Sequence, residues 1–322
     1  MARSLLAAEQ FLDEGFQAQI TAAAAPLGFT ARFYRSSQEI GEEIREAEVL
    51  FGSGFSDRLR EARRLRWYCS SFAGVEHYMD PSLWPAQDCL FSNSAGAFGV
   101  TISEHIVMVL LMLLRQMPAY QRDLARRAWT FYAPIRSIRG LRATILGMGD
   151  IGTHTARTLS AMGAQVRGVR RDISKPADPA FKEVLPMERL EEVLPETDAL
   201  VLALPSTPST RRVLDRSRLA LLPRGAYVVN VGRGAAIDQE ALMEALDTGA
   251  LAGAALDVME PEPLPPYHPL WRTKNLLLTP HCSGNTSLGY TRERIVEMFL
   301  EDLARYAAGQ PLLHAVDRSL GY

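Results

Sequence analysis

Short apolar runs and amphipathic ones alternate through the first hundred residues. RSLLAA (3–8) is followed by a helical pattern over 12–25, FTARFY (29–34) by one over 38–47 and EVLFG (48–52) by one over 57–64, and RWYCSSF (66–72) closes the series. Such alternation predicts a parallel sheet covered by helices. A second series begins after Asn93. TISEHIVMVLLMLLRQM (101–117) opens with Thr101 and Glu104 in the spacing of a capping box, where each side chain serves an orphan N–H, and predicts a long, largely buried helix. RATILG (142–147), AQVRGV (164–169), DALVLAL (198–204), AYVVNV (226–231), GAALDV (253–258) and NLLLT (275–279) then read as six strands, with helices over 151–162 and 239–248. Several are apolar on both faces, as strands of a doubly covered sheet should be. A last helical pattern over 288–309 stops at Gly309 ahead of Pro311, and the proline-dense stretch 260–269 predicts an ordered loop.

Composition narrows the partners. The 322 residues exceed one ordinary core and predict two domains, and a net charge of -2 gives no electrostatic reason to expect nucleic acid or an acidic membrane. The longest apolar helix candidate, IVMVLLMLL (106–114), falls short of the roughly 20 residues of a bilayer span, and the first residues lack a signal-like apolar core. Cys69, Cys89 and Cys282 are odd in number, with no CxxC and no metal-ligand spacing. The expectation is a soluble, cytoplasmic protein without a structural metal, acting on a small molecule.

Chemistry first shows in LGMGDIG (146–152). Gly147, Gly149 and Gly152 form GxGxxG between a strand and a helix, the context of a dinucleotide site. Gly147 permits the turn, Gly149 lets a pyrophosphate approach the backbone and Gly152 allows close helix–sheet packing, while the amides near Asp150 and Ile151 face the phosphates. The next strand ends at Arg170, followed by Arg171, where an acid would hydrogen-bond the ribose of NAD. An arginine donates to a 2′-phosphate instead, so NADP(H) is expected, with NAD(H) possible. Asp172 carries the competing reading, since a shift of two residues would bring its carboxylate to the ribose.

Arg233 in NVGRGAAID, Glu262 in MEPEPLPP and His281 in LLLTPHCSGNT follow strands, on the edge where open α/β sheets bind ligands. Reduction of a 2-keto acid needs a cation for the carboxylate, a proton donor for the oxygen and an anion beside the donor. From about Leu65 to Thr286 the sequence resembles the D-isomer-specific 2-hydroxyacid dehydrogenases, through SFAGVEH, SEHIVMVLLMLLR, GxGxxG, NVGRG, ALDVMEPEPLP and TPHCSGNT. The resemblance implies that Arg233 binds substrate carboxylate and carbonyl, that His281 is the general acid in reduction and base in oxidation, and that Glu262 holds the imidazole. It assigns Asp257 to the nicotinamide carboxamide and the backbone of Phe72, Ala73 and Gly74 to the substrate carboxylate. It adds Pro205, Val231, Gly232, Ser283 and Gly284 to the cofactor contacts, with Arg233 and His281 touching both ligands. The family's Gly-Val-Asp reads Gly74-Val75-Glu76 here.

The implied architecture is α/β with two Rossmann-like domains and an interdomain cleft. Residues 1–96 and 287–322 would form a flavodoxin-like substrate domain, and 97–286 a doubly wound NAD(P)-binding domain. The resemblance also implies a homodimer formed through the cofactor domain, near the helix over 101–117 and the segment AYQRDLARRAWTFYAP (119–134) after it. A glyoxylate or hydroxypyruvate type of 2-keto acid reductase is the leading reading. An NAD-dependent 3-phosphoglycerate dehydrogenase and a nucleotide-sensing, corepressor-like binding protein are the alternatives.

Overall fold

The computed structural model describes residues 3–318 and divides into two compact units. One takes the chain as far as Phe98 and resumes at Asn285; the other is Gly99–Gly284.

In the first unit, strands β1 (Arg3–Ala8), β2 (Phe29–Tyr34), β3 (Val49–Gly52), β4 (Trp67–Ser70) and β5 (Leu90–Ser92) pair in the order β2-β1-β3-β4-β5, every pair parallel. The order 2-1-3-4-5 is that of flavodoxin-like sheets. β3 and β4 are buried along their whole length, as strands covered on both faces should be. Helix Glu14–Ala24 starts where Asp13 accepts the amide of Phe16 (3.1 Å). The helix Gly289–Ala307 completes the unit, its Phe299 stacking on Phe51 (4.1 Å) and on Trp67 (5.4 Å).

Two expected helices of this unit form only 3-10 turns. Residues 38–47 break into Ser37–Glu39 and Glu42–Glu46 around an extended Ile40 and a non-helical Gly41, and 57–64 keep one turn, Leu59–Glu61. A central glycine costs roughly 1 kcal/mol against alanine, and segments of about ten residues cannot nucleate a helix without an apolar face to bury. β5 was not expected: its three residues are too few for a period to show.

The second unit holds β6 (Arg142–Leu146), β7 (Gln165–Arg170), β8 (Glu183–Pro186), β9 (Ala199–Leu202), β10 (Ala226–Asn230), β11 (Leu251–Leu256) and β12 (Leu276–Leu278) in the order β12-β11-β10-β9-β6-β7-β8, all parallel. The chain runs outward from β6 in one direction, then crosses back to β9 and continues in the other. Ligands bind at such a reversal, outside the carboxyl ends of the strands. Helix Gly99–Leu114 packs on helix Asp150–Ala161 and buries Ile106, Val109, Leu110, Leu113 and Leu114. It begins two residues before Thr101, so that threonine lies inside the first turn and the expected capping box is not formed. Among the described residues no single helix is long and apolar enough to cross a membrane, and no cluster of three metal-ligating side chains occurs.

Candidate functional site

The carboxyl edge of the second sheet carries the glycine turn and the residues Arg233, Glu262 and His281 singled out by the sequence. After β6, Gly147 turns at φ 97° and helix Asp150–Ala161 begins. A Cβ on Gly152 would stand 1.9 Å from the Gly147 carbonyl oxygen, and one on Gly147 would stand 2.4 Å from the oxygen of Ala203, so both are needed for close approach. At Gly149 a Cβ would meet nothing within 4 Å. Its bare backbone therefore faces open space beside a helix start, where amides at Asp150 and Ile151 offer donors and the helix dipole favours an anion. The turn fits a dinucleotide pyrophosphate.

At the end of β7, the guanidinium of Arg170 donates to the carbonyls of Lys175 and Pro176 and so shapes the loop that follows, while its buried Nε has no partner. Arg171 is exposed. Asp172 accepts the amide and hydroxyl of Ser174 (3.0 and 2.6 Å), bonds that hold its carboxyl below the usual range and tie it into its own turn. Pro205 lies just beyond β9, its carbonyl accepting the Thr210 hydroxyl (2.7 Å).

Arg233 follows β10 on a loop locked by buried Asn230, which accepts the amide of Gly232 (3.0 Å) and donates to the carbonyl of Arg233 (2.9 Å). The side chain of Arg233 is half-buried and bonds the Gly232 carbonyl (2.8 Å). Val231 is buried and donates to Leu202, across to β9. Gly234 presses on the backbone of Met259, where a Cβ would lie 2.1 Å from the carbonyl carbon. The amide of Met259 donates to one oxygen of Glu262 (2.8 Å), and the other oxygen meets Nδ1 of His281 (2.8 Å). An unbroken run of contacts thus joins the arginine loop to the carboxylate and the imidazole. A carboxylate partner places the proton on Nδ1, which leaves Nε2 to exchange a proton with a substrate.

His281 adopts φ 50°, and its amide donates to the carbonyls of Asp257 (2.8 Å) and Thr279 (3.0 Å). Asp257, buried after β11, accepts the Thr279 hydroxyl (2.6 Å) and the amides of Cys282 (2.9 Å) and Ser283 (3.0 Å). Burial pushes its carboxyl up, but the bonds from Ser283, Thr279 and Cys282 outweigh this and hold it below the usual range. Asp257 therefore braces the turn that carries His281, and that turn brings along Ser283, buried, and half-buried Gly284. Sequence reading missed His105, whose Nε2 lies 3.3 Å from the Thr279 hydroxyl and whose pKa burial lowers. Its one sequence signal was a position on the inner face of an apolar helix.

In the first unit the loop after β4 carries Phe72, exposed, with Ala73 and Gly74 half-buried. The carbonyls of Phe72 and Ala73 accept Ser94 (3.2 Å) and Asn93 (2.7 Å), which fixes the loop while the amides of Ala73 and Gly74 keep no backbone acceptor among the described residues. Of the remaining histidines, His77 is exposed, His154 lies 3.5 Å from Asp150, His268 caps a turn and His314 pairs with Asp302.

Residues 107–283 match the model of the D-isomer specific 2-hydroxyacid dehydrogenase NAD binding domain. A glyoxylate reductase of Aeropyrum pernix is 32% identical over 295 residues, covering 86% of this chain and 85% of that protein. Among solved structures, a D-isomer specific 2-hydroxyacid dehydrogenase family protein from Aeromonas salmonicida superposes with a TM-score of 0.87 at 33% identity, over 99% of this chain and 100% of the other. An NADPH-dependent glyoxylate/hydroxypyruvate reductase from Sinorhizobium meliloti, in complex with NADP and sulfate, gives 0.82 at 27% identity over 99% and 100%.

Proposed function

The chain belongs to the D-isomer-specific 2-hydroxyacid dehydrogenase family, and from that premise we propose that it reduces a small 2-keto acid of the glyoxylate or hydroxypyruvate type with NADPH. Membership makes it an NAD(P)-dependent oxidoreductase that interconverts a 2-keto acid and a D-2-hydroxy acid. The observation that carries the catalytic reading is the bond between Nδ1 of His281 and Glu262, on the sheet edge that also bears the Arg233 loop and the glycine turn.

In this reading the Arg233 guanidinium binds the substrate carboxylate and polarises the keto oxygen. NADPH, when bound at the glycine turn, would supply the hydride. His281, as imidazolium, would release its Nε2 proton to the oxygen as the keto carbon is reduced, and Glu262 holds the ring in place through Nδ1. The sum is keto acid, NADPH and one proton to hydroxy acid and NADP. Phe72, Ala73 and Gly74 offer backbone donors to the carboxylate. Asp257 acts by bracing the His281 turn, and its assignment to the nicotinamide amide stays part of the proposal.

Preference for NADPH rests on the β7 loop. Arg171 is the exposed cation for a 2′-phosphate, Arg170 frames the loop, and Asp172 is engaged by Ser174 rather than held out to a ribose. The Sinorhizobium relative is described as NADPH-dependent. We further read the protein as a cytoplasmic homodimer, a reducing compartment suiting the exposed thiol of Cys282.

The test is a matrix of 2-keto acids against NADH and NADPH, read as kcat/KM. Glyoxylate or hydroxypyruvate with NADPH should lead. Tight NADPH binding with no turnover across the panel would overturn the reading in favour of a nucleotide sensor.

A further inference from the structure

Beneath the Phe72–Gly74 loop lies a carboxyl group that the catalytic reading leaves unused. Glu9 stands one residue past the end of β1 and is 9% exposed. The hydroxyl of Ser71, itself fully buried, donates to its Oε1. Ser71 is the residue immediately before the loop. Around it Ser70, Asn93 and Ser94 are also buried, Ser94 bonding the carbonyls of Ser70 and Phe72 and Asn93 that of Ala73. Glu9 is the acid of this polar floor.

We propose that Glu9 is a positioning residue for the substrate loop: through Ser71 its carboxyl fixes the amides of Ala73 and Gly74, and its charge state sets how well they accept an anionic substrate. The inference rests on the 2-keto acid reading given above. A neutral carboxyl supports the loop without opposing a second carboxylate. An ionised one, poorly screened in a buried setting, repels it.

The groups that face Glu9 do not cancel that charge. From the end of β3 comes the hydroxyl of Ser53, from the end of β4 that of Ser71, and from β2 the carbonyl of Tyr34, which accepts the Glu9 amide (3.1 Å). Tyr78, from the segment after the loop, is the titratable neighbour, bonded to Tyr68 (2.8 Å), and it shares its surroundings with Asp57. No cation bears on Glu9 among the described residues. Burial pushes its carboxyl above the usual range, against the bonds from the Ser53 and Ser71 hydroxyls and the Gln10 amide. The neutral form therefore lasts to higher pH than for an ordinary glutamate, and substrate affinity is lost as pH rises through the raised value.

The experiment measures kcat and KM for glyoxylate at saturating NADPH between about pH 5 and 9, in wild type, Glu9→Gln and Ser71→Ala. Wild-type KM should climb by roughly 3- to 30-fold across the range, the scale expected of one partly buried charge, while KM of Glu9→Gln stays flat. Ser71→Ala should raise KM more than it lowers kcat. Contributions from groups other than Glu9 are common to all three proteins, so each variant is read against the wild-type profile. Superimposable KM profiles for wild type and Glu9→Gln, with normal turnover, overturn this inference alone. Should wild type neither reduce glyoxylate nor bind oxalate, the catalytic reading falls, and this inference with it. If Glu9→Gln does not fold, Ser71→Ala decides: an unchanged KM at every pH refutes the coupling.

Discussion

His281 holds a left-handed backbone conformation that only glycine adopts without cost, and roughly 1 kcal/mol or more must be supplied by its surroundings. Asp257 supplies it, taking one hydroxyl and two amides of the same turn while its carbonyl accepts the His281 amide. Asp257→Asn would set an amide NH2 against those donors and should cost about 1–3 kcal/mol of stability. The pH dependence has a definite sign. Because the folded state holds this carboxyl below its unfolded value, its contribution is present above the ordinary carboxylate pKa of about 4 and fades as pH falls through the lower folded value. Melting temperatures measured from neutral to acid pH should fall less steeply for Asp257→Asn than for wild type, and equal slopes would show that Asp257 does not brace the turn. For the chemistry, His281→Ala should lower kcat by about 10²–10⁴ with NADPH still bound, the usual scale of general acid catalysis. Glu262→Gln keeps an acceptor for the Met259 amide but loses the anion, so kcat should drop on the order of 10- to 100-fold while fluorescence titration finds NADPH affinity within about twofold. Wild-type turnover in either variant would remove the dyad from the mechanism.

At the scale of the element, the glycine turn separates fold from ligand. Gly152→Ala must displace the Gly147 carbonyl and should cost about 2–3 kcal/mol, seen as a lower melting temperature. Gly149→Ala meets no protein atom, and at φ -77° the backbone accepts alanine, so stability should change by less than about 0.5 kcal/mol while NADPH binding weakens at least tenfold. Equal NADPH affinity in Gly149→Ala and wild type would refute the pyrophosphate site. The turn was legible in the sequence because its glycines answer to local geometry. So were the six strands, above all β9 and β10, whose burial along their whole length leaves a continuous apolar run. β8, Glu183–Pro186, was not: it is an edge strand with a single buried residue, Leu185, and shows no period. Thr101 and Glu104 have cap spacing, yet the helix runs back to Gly99, because packing against helix Asp150–Ala161 outweighs a local cap. Arg233, Glu262 and His281 stood out as residues, but the bracing of the His281 turn by Asp257 did not, since its partners Thr279 and Ser283 lie 22 and 26 residues away and carry no local signal.

For the whole molecule, the surface of the Gly99–Gly284 unit poses a question of partnership. Helix Met117–Arg126 and the segment after it expose Leu124 (73%), Phe131 (82%) and Trp129 (104%), the last as open to solvent as the side chain can be. Nearby order is local: Tyr132 bonds Asp123 (2.7 Å) and packs edge-on against Tyr120, so the segment is held in place while its large apolar groups face outward. A buried aromatic removes about 150–250 Å² from water, so Trp129 and Phe131 together with Leu124 supply a good part of the roughly 800 Å² per partner that a stable interface needs. Because a two-fold contact uses the same patch on both copies, a second chain of this protein is the partner that the reading requires. Sedimentation at micromolar concentration should give the mass of two chains. Trp129→Asp with Phe131→Asp should give one, with little change in the monomer's own fold, since neither side chain is buried in it. A wild-type mass of a single chain would overturn the dimer and leave these residues to be explained by some other partner.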